Sequence, residues 1–125
     1  HPDGDALERY RKGGGKGPSV ATTKVCWAPD EDSARKTVMR LWASSGVPGQ
    51  SMQELAVPTH FEAAAELVTA DAMAEKIPCG PDPEVHAAAL RKFIEAGFDE
   101  VHVSQVGDQQ QEFFDFFAKE VTPRL

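Results

Sequence analysis

Three times along this chain a short apolar run ends in a Gly or Pro turn, an Asp follows, and an amphipathic stretch begins. The instances are Val25-Cys26-Trp27-Ala28-Pro29-Asp30, Ile77-Pro78-Cys79-Gly80-Pro81-Asp82, and Val101 through Val106 with Gly107-Asp108. An Asp in that position can accept hydrogen bonds from the open N–H groups of a helix's first turn. The stretches behind it have helical spacing. Ala34, Val38, Leu41 and Trp42 fall on one face. After Pro83, at home in a first turn, come Val85, Ala89, Phe93 and Ala96, with Leu90 and Ile94 beside them. Gly97 then supplies a left-handed stop on which Phe98 folds back. Phe113, Phe117 and Val121, flanked by Phe114 and Phe116, form the third stripe, and Pro123 ends it.

Short strands alternating with helices imply parallel strands joined by crossovers, an α/β fold. The step from Asp82 to Asp108 is one strand–helix unit; that from Asp30 to Asp82 is twice as long. Its excess begins near Ser44, where Gly46, Pro48, Gly49 and Pro58 break regular structure, and predicts an insertion over about 44–70. Two short helices are expected there and just after, from Phe61 to Val68 and from Ala70 to Lys76. Asp5 to Arg11 reads as a helix stopped by Gly13-Gly14-Gly15.

The 125 residues suit one domain, with 41% hydrophobic and 26% charged side chains. A formal charge of −7 speaks against a nucleic-acid surface. No apolar run reaches the length of a membrane span. Two cysteines make no disulfide framework, so a cytoplasmic setting is expected. Because the sequence opens at His1 without a Met, and with a helix preceded by nothing, it reads as the C-terminal piece of a larger enzyme.

Gly13-Gly14-Gly15-Lys16-Gly17 lacks the preceding strand and the Gly-Lys-Ser/Thr ending of a phosphate loop, so it reads as a connection. Cys26 and Cys79 hold equivalent places in two strands and read as buried neighbours, with no spacing for a metal. His102, flanked by Val101 and Val103, reads as a packed core histidine, His86 as a surface residue, and the phenylalanine cluster as core. Ligands of parallel α/β folds gather beyond the carboxyl ends of the strands. Trp27, Cys79, Gly80, Ser104 and Gln105 are therefore placed near any site, and Gly80 allows close approach of a ligand to the backbone.

Val25-Cys26-Trp27-Ala28, Val47-Pro48-Gly49-Gln50 with Gln53-Glu54-Leu55, Pro78-Cys79-Gly80-Pro81-Asp82-Pro83-Glu84, Ala96-Gly97-Phe98-Asp99 and the final Val121-Thr122-Pro123-Arg124-Leu125 follow in an order that resembles luciferase-like, deazaflavin-dependent oxidoreductases. Within these the resemblance is to the glucose-6-phosphate dehydrogenase family that uses coenzyme F420, in its C-terminal part. It implies the last three βα units of a (β/α)8 TIM barrel, one domain over 1–125, with the insertion before the seventh strand. It implies hydride transfer between C5 of the deazaflavin and a small-molecule substrate. The family's catalytic His, Trp and Glu lie in the earlier part of the barrel, so no catalytic residue is assigned here and the chain alone is expected to be inactive. Trp27, Lys76, Gly80 and Gln105 are the substrate-pocket candidates. By alignment Glu75 stands where the family's phosphate-binding Lys is found, with Lys76 beside it, so a substrate other than glucose 6-phosphate is expected. The alternatives are an FMN-dependent luciferase-like monooxygenase and a non-catalytic binding or assembly module. Three strands alone leave one face and two edges open, which predicts a homodimer or larger assembly.

Overall fold

The computed structural model describes residues 4–47 and 54–125. Pro48, Gly49, Gln50 and Gln53, part of the second motif, lie outside the described residues. Helix α1 (Gly4–Lys12) leads through the glycine run into strand β1 (Val20–Val25). Helix α2 (Glu31–Trp42) follows, with a 3-10 turn at Ala43–Gly46. Helices α3 (Pro58–Ala65), α4 (Ala70–Ala74) and α5 (Pro83–Glu95) come next, then strand β2 (Glu100–Gln105) and helix α6 (Gln110–Phe116). The last helix continues as a π turn over Phe117–Val121 and a 3-10 turn over Thr122–Arg124.

The strands are parallel and adjacent, in register from Val20 opposite Glu100 to Val25 opposite Gln105. The middle apolar run, expected as a strand, contributes a single parallel bridge between Cys79 and Cys26. Pro78 and Pro81 lack the N–H that a longer ladder requires. The bridge also lies on the far edge of β1. Cys26 N–H donates to Pro78 O and Cys26 O accepts from Gly80 N–H, whereas Val25 O accepts from Val106 N–H. Consecutive residues of a strand turn their backbone groups to opposite edges, so β1 sits in the middle. Three consecutive barrel units would instead put the middle run between the other two.

Two caps behave as the sequence implies. Asp30 accepts from Ser33 N–H at 2.8 Å and Asp82 from Glu84 N–H at 2.9 Å. Asp108 does not cap; Gln109 takes the position before α6 without a side-chain bond, and Asp108 offers only its carbonyl, to Gln110 N–H. Gly97 has φ +89°, and Phe98 N–H returns to Phe93 O while the two rings meet edge-on.

Cys26, Ala28, Ala34, Val38, Met73, Ile77, Cys79 and Val106 form one buried cluster, between α2, α4 and the carboxyl end of the sheet. Ala87, Leu90 and Val121 form a second, against Val101 and Val103 on one sheet face and against Phe116 and Phe117. The stripe on α5 is rotated from the expected one. Val85 and Ile94 are 44% and 49% exposed, while His86, Ala87, Leu90 and Phe93 are buried. Tertiary contacts at both ends set this rotation: the Asp82 cap and a His86 bond to Gly80 at the start, and Phe93 against Phe98 at the end.

On the other sheet face, Val20, Thr22, Glu100, His102 and Ser104 are exposed. His102, expected in a core, sits in the open 3.4 Å from Glu100. It faces away from Val101 and Val103 as the alternation demands, but no helix among the described residues covers it. At the amino end, Asp99 accepts from Ser19 N–H and hydroxyl, both at 2.7 Å, and from Arg11 at 2.8 Å. The Ser19 bonds first, and then Arg11, hold its carboxyl below the usual carboxylate range. No helix among the described residues is long and apolar enough to cross a membrane.

Candidate functional site

Beyond Val25 and Gln105 the backbone ladder gives way to a side chain. Trp27 N–H donates to Gln105 Oε1 at 2.8 Å, and Gln105 Nε2 donates to Trp27 O at 2.9 Å. The amide of Gln105 copies a peptide group and adds one rung to the sheet, fixing the loop that leads to α2. The Trp27 ring lies tilted against Phe116, with centroids 5.8 Å apart.

Gly80 stands beside this rung. Its N–H donates to Cys26 O, and its φ is +99°. A Cβ built on it would lie 3.2 Å from Glu31 Cα, at the start of α2, so both conformation and space call for glycine. Its carbonyl accepts from His86 Nε2 at 2.9 Å. The His86 ring is fully buried and meets Phe116 edge-on at 5.4 Å. His86 is thus a core residue rather than the surface residue expected. Its spacing to Leu90 and Phe93, at i+4 and i+7, was a signal that could have placed it inside.

Trp27, Gly80 and Gln105 are therefore brought to one end of the sheet, with His86 added. Lys76 is held elsewhere. Its ammonium donates to Gly46 O at 3.2 Å and Ser45 O at 3.5 Å, and the cleft it lines with Thr23, Pro78 and Phe93 measures about 40 Å3. That space is far below the roughly 300 Å3 at which small-molecule sites begin. Ser104 is exposed on the open face.

Both thiols are buried and free. Burial, with Cys79 nearby, pushes Cys26 up to about 12, and burial pushes Cys79 up to about 11. At neutral pH neither is a thiolate, and Cys26 Sγ is engaged with Val106 O at 3.0 Å, so neither is equipped as a nucleophile.

Burial lowers the pKa of His86 below its ordinary 6.5; the Gly80 bond and Asp82 oppose this only in part. A depressed histidine binds protons less readily folded than unfolded. Its contribution to stability is complete above pH 6.5 and falls as the pH drops toward the folded value. We expect urea midpoints to fall between pH 7.5 and pH 5, and His86→Phe to flatten that slope. Asp30 and Asp99, also depressed, act below their ordinary 3.8 and do not overlap this window. An unchanged slope in His86→Phe would mean that another group titrates.

Parallel strands joined through helices, with loops and a glycine gathered beyond their carboxyl ends, fit part of an α/β barrel. In sequence the chain is similar to enzymes named F420-dependent glucose-6-phosphate dehydrogenase. It is 24% identical over 107 residues to that of Microbacterium testaceum (strain StLB037), covering 86% of this chain and 32% of the relative. It is 24% identical over 102 residues to F420-dependent glucose-6-phosphate dehydrogenase 2 of Rhodococcus jostii (strain RHA1), covering 82% and 30%. The chain spans about a third of the length of these relatives. In fold it is similar to an F420-dependent secondary alcohol dehydrogenase solved with an F420-acetone adduct, with TM-score 0.74, 24% identity, and coverage of 96% of this chain and 37% of that one. No protein-family model matches the chain.

Proposed function

We propose that this chain forms the C-terminal part of an F420-dependent oxidoreductase, closing its barrel and framing one wall of its substrate pocket. The observation that carries the reading is the sequence match along 86% of the chain to enzymes named for F420. When bound, the deazaflavin would take up or give a hydride. The residues present here do not by themselves fit that group. Gln105, the polar side chain best placed at the carboxyl end, is held by Trp27 through both its Oε1 and its Nε2. The role of this chain is then to fix loops, with cofactor contacts supplied by other parts of the protein.

In this reading residues 1–125 belong to one barrel domain, β1 and β2 are neighbouring barrel strands, and the region about 44–70 is an insertion. The run at Ile77–Gly80 acts as a loop clasp more than as a full barrel strand, which its single bridge favours. The substrate is a small molecule other than glucose 6-phosphate: Glu75 repels a phosphate, and Lys76 is occupied with backbone carbonyls. Titration of the full-length protein with F420 and, separately, FMN tests the cofactor. Saturable binding of F420 alone supports the reading, and binding of FMN alone replaces it with the monooxygenase. Binding of neither leaves the assembly module.

The chain expressed by itself is expected to self-associate through its exposed sheet face and the free edge of β2. Light scattering at micromolar concentration would reveal a dimer or larger species; a clean monomer would remove this expectation.

A further inference from the structure

We draw no further inference here: the strongest candidate, the open groove between α2 and α3 lined by Met39, Leu41, Phe61 and Ala65, is an unpartnered apolar face, and nothing among the described residues shows what covers it.

Discussion

Leu90→Ala should destabilise the protein by about 2–5 kcal/mol, the usual cost of emptying a packed leucine site. Leu90 is 2% exposed and lies with Ala87 and Val121, both fully buried, under Val101, Val103, Phe116 and Phe117. Removing it opens a void where α5, β2 and the C-terminal turns meet. Leu90→Met, which nearly keeps the volume, should cost less than about 1.5 kcal/mol. Ile94→Ala provides the contrast, because Ile94 is 49% exposed on the same helix and should matter far less. Urea unfolding of the three variants measures this. If Ile94→Ala proved the costlier of the two alanine changes, the packing of α5 described here would be wrong.

Gly80→Val should cost about 1–3 kcal/mol from backbone strain alone, because φ of +99° suits few residues with a side chain. A second cost comes from space. The new Cβ meets Glu31 Cα and Cβ, both at 3.2 Å, and a backbone atom does not swing aside. Gly14 separates the two effects: it has φ +89°, and a Cβ there meets nothing within 4 Å. Gly14→Val should therefore show the strain without the crowding, and the excess for Gly80→Val reports the approach to α2. Because Gly80 also holds Cys26 and His86, hydrogen exchange at its own amide should speed up in parallel. Equal losses for the two variants would mean that α2 yields freely at Glu31.

Much of the local structure was legible in the sequence. Asp30 and Asp82 announced their helices, Gly97 its stop, and Thr69 now caps the short helix expected after Val68. These are effects of a few neighbouring residues, which a linear reading contains. Trp27, Gly80 and Gln105 were placed at the carboxyl end because strand direction and strand ends suffice for that. Lys76 came from an alignment, and its ammonium turned out to be satisfied by carbonyls thirty and thirty-one residues away.

The sequence by itself determined where α2 and α5 start, where α5 stops, and that the strands lie parallel. Only the tertiary structure decided that β1 lies between β2 and the Cys79 bridge, that His86 is buried while His102 is bare, and that the amide of Gln105 completes the sheet. These depend on which surfaces meet across some eighty residues of chain, as at Trp27 and Gln105. Periodicity shows that a face is apolar, but the partner that covers it is chosen by packing in three dimensions.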